Sequence, residues 1–376
     1  MRGAGNTARL VGLPAAAGPI EASGRRRDEG RLLVVGPSAV VDSTFGAVGD
    51  FLAPGDVLVV NTSGTLAAAL PVQGPAFGRG GPEGLLLHLG TELPGGLRLV
   101  ELRTATGFGS APFGDTRPGA VRLPGGGRAD LLSPWPATAA ARPGPDELWG
   151  GATAPAEGPA RLWVARLDVP GDPLLWLADH GRPIRYGEPA EPWPITAYQT
   201  VFATEPGSAE MPSAARGFTA ELVTALVSAG VVIAPLLLHC GVSSPEAGEA
   251  PQPERYRVPT GTAALVNAAR DAGRRVVAVG TTAVRALETV ADETGTVHPG
   301  QGWTELVISP DRGVRAVDGL ITGWHEPEAS HLEVIAAVAG PELIERSYSA
   351  AHALGYHGHE FGDFHLLLPG GHGFLR

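Results

Sequence analysis

Two hydrophobic patterns divide the chain. Unbroken apolar runs of four or five residues bounded by Gly, Pro or charge predict buried strands, and apolar residues at helical spacing predict helices. "RLLVV" (31–35) reads as a strand, and "PGDVLVVNTSG" (54–64) as a turn and a buried strand ending on Asn61. From about residue 195 the two patterns alternate. "FTAELVTALVSAG" (218–230) has helical spacing, Thr219 and Glu221 at its start and Gly230 as its stop signal. "VVIAPLLLHCG" follows as a strand, "GTAALVNAARDAG" as a helix and "RRVVAVG" as a strand, and "TAVRALETVADETG" reads as a third helix closing on Gly295. Strand–helix alternation with short connections predicts an α/β fold built on a mainly parallel sheet.

Residues 71–185 break that rhythm. Short strands ("GLLLHLG", "LRLVELRT", "RLWVARLDV") are punctuated by Gly and Pro, no helix is evident, and the stretch predicts a small β-barrel or sandwich. Within it, residues 137–160 read as a long surface loop. The expected organisation is a flexible N-terminal arm (1–27), a discontinuous α/β domain (28–70 and 186–376) and an inserted β-barrel-like domain (71–185).

Composition narrows the chemistry. The chain has 376 residues, 43% hydrophobic, enough for two domains. All 28 basic residues are arginine, which excludes a Schiff-base lysine, a Walker-type phosphate lysine and a pyridoxal anchor. Cys240 is the single cysteine, so no intrachain disulfide, thiolate zinc ribbon or iron–sulfur cluster can form. A formal charge of -11 argues against a broad nucleic-acid-binding face. The clusters at Arg25–Arg27 and Arg274–Arg275 read as solvated surface. No apolar run approaches the roughly 20 residues of a membrane span, and the N-terminus has no signal-peptide core. A cytoplasmic monomer without a membrane contact is expected.

Candidate chemistry gathers where strands end. In "VAVGTTAVRALET" (277–289) a buried strand meets Gly280, then Thr281 and Thr282 open a helix whose free N–H groups and positive dipole end suit a carboxylate, phosphate or carbonyl. The same residues also fit an ordinary capped turn, with Arg285 paired to Glu288 on one helix face. His239 closes another strand, as a hydrogen-bonded core residue or a catalytic one. The tail holds His325, His331, His357, His359 and His365 with Glu360 and Asp363. Their side chains have metal-ligand chemistry, but "HEPEASH" is not the H-E-x-x-H helix and Pro327 breaks such a helix. No metal site is expected.

Taken together, "VAVGTTAVRALET", "AYQTVFA" around Tyr198, Gln199 and Thr200, "VDGLITGWHEP", "YHGHEFGD", "LHCG", "RDEGRLLVV" and "PGDVLVVN" resemble the S-adenosylmethionine:tRNA ribosyltransferase-isomerase family of queuosine biosynthesis. The resemblance implies an α/β domain carrying a small inserted β-barrel. It implies transfer and isomerisation of the ribosyl part of S-adenosylmethionine onto a 7-aminomethyl-7-deazaguanine in tRNA, with release of adenine and methionine. S-adenosylmethionine is then a co-substrate, with no prosthetic group and no metal. The reaction needs a base for the proton beside the sulfonium, for which His239, His325 and Asp363 are candidates. Gly280, Thr281, Thr282, Arg285, Asn61, Tyr198, Gln199, Ser213 and Glu254 become substrate-binding candidates.

Some positions depart from the family pattern. An Asp and two Arg of the family are Thr62, Gly64 and Ala69 here, a family His is Gly217, and the Arg after the tail tyrosine is His357. The departures fall on groups that would grip nucleic acid. They leave room for a related transferase with a non-tRNA acceptor, or for an inactive binding protein.

Overall fold

In this computed structural model, residues 10–106, 109–135, 160–185, 191–242, 252–326 and 331–370 are described. The strands β1 (Arg31–Val35), β2 (Val40–Thr44), β3 (Val57–Asn61), β4 (Ser63–Thr65) and β5 (Ala69–Pro71) come first. The middle stretch supplies β6 (Leu85–Leu93), β7 (Leu97–Ala105), β8 (Ser110–Pro112), β9 (Gly119–Arg122), β10 (Arg128–Pro134), β11 (Leu162–Asp168) and helix α1 (Pro173–His180). Then follow β12 (Glu205–Ser208), α2 (Ala220–Ser228), β13 (Val232–Leu238), β14 (Glu254–Val258), α3 (Thr260–Asp271), β15 (Val276–Val279) and α4 (Thr281–Val290). The chain closes with β16 (Gly300–Thr304), β17 (Gly319–Gly323), α5 (His331–Ala339), α6 (Pro341–Leu354) and β18 (Phe364–Leu367).

A nine-stranded sheet runs in the order β16-β14-β13-β3-β15-β17-β18-β1-β2. Its centre, β13-β3-β15-β17, is parallel, whereas β14, β16, β2 and the β17–β18 pair are antiparallel. The sheet is therefore mixed rather than mainly parallel. The strands that turn it mixed are joined by hairpin-type or long tail connections, which periodicity does not reveal. Alternate residues feed two cores: Val57, Val59, Val276 and Ala278 face one, and Leu58, Val60, Val277 and Val279 face the other. All eight are essentially buried, as the unbroken apolar runs require of a sheet covered on both faces. A second, seven-stranded sheet, ordered β5-β6-β7-β11-β10-β9 with β8 beside β7, packs its own core of Leu87, Leu89, Leu99, Val100 and Ala165.

Three expectations change. Residues 10–27 are not a loose arm: Leu13 is buried, Ala15 bridges Gly358, and the Arg27 guanidinium donates to the carbonyls of Thr196 and Gln199. Helix α1 appears where no helix was expected, because Asp172 accepts hydrogen bonds from the N–H groups of Leu174 and Leu175 and Pro173 occupies its first turn. Helix α4 ends at Val290 instead of running to Gly295, since the Asp292 carboxylate organises a turn by accepting from the N–H groups of Thr294 and Thr296. Residues 137–159 of the expected surface loop, and Pro327, lie outside the described residues.

Candidate functional site

Parallel strands β13, β3, β15 and β17 bring their C-terminal ends to one edge of the sheet. There the chain leaves the ladder and backbone groups become available to a ligand. A cavity of about 100 Å³ lies at this edge. Gly280, Thr281, Thr282 and Arg285 line it from the β15–α4 turn, Cys240, Gly241 and Val242 from the end of β13, and Thr322 and His325 from the end of β17. Glu210 and Ser213 come from the segment after β12, Gln252 and Glu254 from β14, and His331 from α5.

The β15–α4 turn is built on Gly280, whose φ of 90° and ψ of 152° are open to glycine almost alone. Gly280 is the N-cap, so the threonines stand inside the first helical turn and neither caps it with its side chain. The N–H groups of Thr281 and Thr282 make no hydrogen bond among the described residues, while those of Ala283 and Val284 bond to the Gly280 carbonyl. The expected Arg285–Glu288 pair does not form. Arg285 is ion-paired to Glu254 across the cavity wall, and Glu288 accepts from Arg312 at 2.8 Å and from the N–H groups of Arg315 and Ala316. That pairing leaves the Arg285 Nε–H buried with no partner among the described residues, and the Gln252 Oε1 is equally unmatched. An orphaned donor and an orphaned acceptor in one cavity are the mark of a polar ligand, because each costs about 1–3 kcal/mol while unsatisfied.

His325 and His331 both bring an imidazole to this cavity, and His325 stands at the end of β17. Its Nε2 lies 3.2 Å from the Thr322 hydroxyl, its ring stacks on His331 at 4.6 Å between centroids, and Tyr348 clamps its backbone on both sides. Burial, with a smaller contribution from His359, pushes its pKa down to about 4, so it stands neutral and able to accept a proton. His239 does not line the cavity. It is wedged against Gly207, where any side chain would overlap the ring, with Nδ1 2.7 Å from the Ser63 hydroxyl and Nε2 3.9 Å from Glu205. Burial lowers it to about 4 as well, and here the reading as a hydrogen-bonded core histidine holds.

The other candidates are dispersed. Asp363 accepts from the N–H groups of Arg31 (3.3 Å) and His357 (2.9 Å) and so closes the tail turn on β1; the structure does not bring it to the cavity. Gln199 forms a peptide-like clip with Thr65, donating to its carbonyl at 2.8 Å and accepting from its N–H at 3.0 Å. Asn61 sits behind the cavity floor. It bonds both backbone groups of Leu238, at 2.8 and 2.9 Å, and reaches the Thr282 hydroxyl at 3.3 Å. Tyr198 is buried outside this cavity, against Phe361. Gly217, a histidine in the family pattern, has no room for one: a Cβ there would stand 2.6 Å from the Phe45 ring and 2.9 Å from that of Phe364. Gln252, Thr322 and Glu210 were not singled out from sequence, and Cys240 was named only as the single cysteine and within "LHCG". Besides Cys240, only Thr322 carried a signal, two residues before the "WH" of its motif. Among the described residues, no group of three or more His, Cys, Asp or Glu side chains is arranged to hold a metal ion. No described helix is long and apolar enough to cross a membrane.

Comparison with known proteins shows the family. A family model described as "Queuosine biosynthesis protein" matches residues 160–367. An S-adenosylmethionine:tRNA ribosyltransferase-isomerase of Symbiobacterium thermophilum is 47% identical over 178 residues, 46% of this chain; the match spans about half of that relative (52%). One from Acidiphilium cryptum is 35% identical over 354 residues, covering 91% of this chain and 93% of the relative. The crystal structure of S-adenosylmethionine tRNA ribosyltransferase from Thermotoga maritima covers 96% of this chain and 99% of its own at 24% identity, with a TM-score of 0.48, and carries no argument here. On the near full-length match and the family model, this chain belongs to the S-adenosylmethionine:tRNA ribosyltransferase-isomerase family of queuosine biosynthesis.

Proposed function

We propose that this chain transfers and isomerises the ribosyl moiety of S-adenosylmethionine onto the aminomethyl group of a 7-deazaguanine in tRNA, giving the epoxyqueuosine nucleoside. The observation that carries the reading is the cavity at the parallel strand ends, with its free Thr281 and Thr282 N–H groups and unmatched Arg285 Nε–H and Gln252 Oε1. Donors and acceptor together suit a zwitterionic, hydroxyl-rich co-substrate. Neutral His325, hydrogen-bond close to Thr322, is the base we assign to the proton beside the sulfonium. Asn61 supports the cavity through Thr282, and His239, Gln199 and Asp363 lie outside it. The reaction as written needs no prosthetic group.

The domain division (28–70 with 186–376, and 71–185 inserted) is part of the same reading, as is a cytoplasmic monomer. We also read the seven-stranded sheet as a small barrel. The hydrogen bonds from Gln73 N–H to the Arg122 carbonyl (2.8 Å) and from Phe77 N–H to the Ala120 carbonyl (3.3 Å) support it by tying the segment after outer strand β5 to the other outer strand, β9.

Calorimetric titration with S-adenosylmethionine, followed by product analysis with and without tRNA bearing the deazaguanine precursor, tests the function. Adenine and methionine are expected only when that tRNA is present. Release that ignores tRNA would point to a transferase with another acceptor, and absence of binding would overturn the reading.

A further inference from the structure

A second cavity, of about 220 Å³, opens between the edge of the seven-stranded sheet and the segment leading to Tyr198. Pro71 and Leu86 give it apolar walls, Trp193 and Tyr198 aromatic ones, and Arg182 and Arg185 its charge. Among the described residues no carboxylate lines it, on a chain of net charge -11. Tyr198 is only 1% exposed, yet its hydroxyl has no hydrogen-bond partner among the described residues; the Trp193 Nε1–H is buried and unmatched in the same way. A buried donor without a partner is costly, so two such groups in one cavity call for a ligand with acceptor atoms. Burial raises the Tyr198 pKa to about 12, which keeps the hydroxyl a donor. Trp193 is held in place from behind, since a Cβ at Gly18 would lie 2.8 Å from its ring.

The two cavities share a small apolar cluster in their walls. Ala197, Tyr198, Met211 and Phe361 form a small apolar cluster in which Met211 faces the first cavity and Tyr198 the second.

We propose that this second cavity receives one nucleotide of the RNA substrate next to the one being modified. Its base lies against Trp193 with acceptors toward the Tyr198 hydroxyl and the indole N–H, and its phosphate meets Arg182 and Arg185. The inference rests on the reading that tRNA is the acceptor. It also gives Tyr198 a role that the first cavity does not.

The test compares binding of an anticodon stem-loop RNA and of S-adenosylmethionine to the wild-type chain, to the double variant Arg182→Ala/Arg185→Ala, and to Tyr198→Phe. Arg182 is exposed, and Tyr198→Phe keeps the packing, so both variants are expected to fold. The double variant should weaken RNA binding by about tenfold or more and flatten its salt dependence by about one to two phosphate contacts. Tyr198→Phe should weaken it several-fold at unchanged salt slope, and S-adenosylmethionine binding should stay at the wild-type value in all three. Wild-type RNA affinity in both variants would overturn the inference while leaving the tRNA reading standing. A wild-type chain that does not bind the RNA at all would sink the tRNA reading, and the inference with it.

Discussion

Arg285 shows how much a residue's meaning depends on its partner. On the helix alone its neighbour is Glu288, but the fold gives it Glu254, and both members of that pair are mostly buried. Removing one charge of such a pair leaves the other uncompensated, at a cost of about 3–5 kcal/mol. Arg285→Ala should therefore lower stability as well as S-adenosylmethionine binding, and Arg285→Ala/Glu254→Gln should recover most of the stability without the binding. Denaturant midpoints and calorimetry on the three proteins check this. Full stability in the single variant would mean that Glu254 is solvated and the pair contributes little. Gly280 was readable from sequence as a strand-to-helix turn, while its φ of 90° explains why no threonine could take its place.

At the scale of elements, local signals located β1, β3, β13, β15 and helices α2, α3 and α4, and tertiary contacts set their ends. β3 ends on Asn61, as its apolar run required, and α2 begins after Thr219, whose hydroxyl accepts from the Leu222 N–H at 3.1 Å. Helix α1 was missed because its eight residues sit between Pro and Gly signals, and what nucleates it is a cap rather than a long periodic stripe. Asp172→Ala should cost about 1 kcal/mol by freeing two first-turn N–H groups, measurable as a shifted unfolding midpoint. A cost near zero would show that Pro173 and the packing of Trp176 hold the helix unaided.

At the scale of the whole molecule, burial of histidines links stability to pH. His239 and His325 are pushed down to about 4, and His88 and His365 to about 3, in each case chiefly by burial. Unfolded, each takes a proton near its ordinary 6.5, and folded it does not. The stability they contribute is therefore complete above about pH 6.5 and is lost as pH falls through 6.5 toward 4 and 3. Glu360, raised to about 8 by burial and the Glu210 charge, works the other way, since the folded chain holds that proton longer. With four histidines against it, the urea midpoint should fall between about pH 7 and pH 5; a midpoint that holds or rises would contradict the burial of these rings.

The sequence by itself determined strands β1, β3, β13 and β15, because a sheet covered on both faces demands unbroken apolar runs, and it determined the family through ordered motifs along most of the chain. Gly280, Thr281, Thr282, Arg285, Ser213, Glu254 and His325 were all named from it, and all line one cavity. Only the tertiary structure decided that His239, Asp363 and Gln199 lie outside the first cavity, that Tyr198 faces a different one, and that Gln252 and Thr322 line the first. The reason is physical. A strand's burial is written in its own period, whereas the direction of a side chain at its end is set by elements such as β14 and the tail, which arrive from far along the chain.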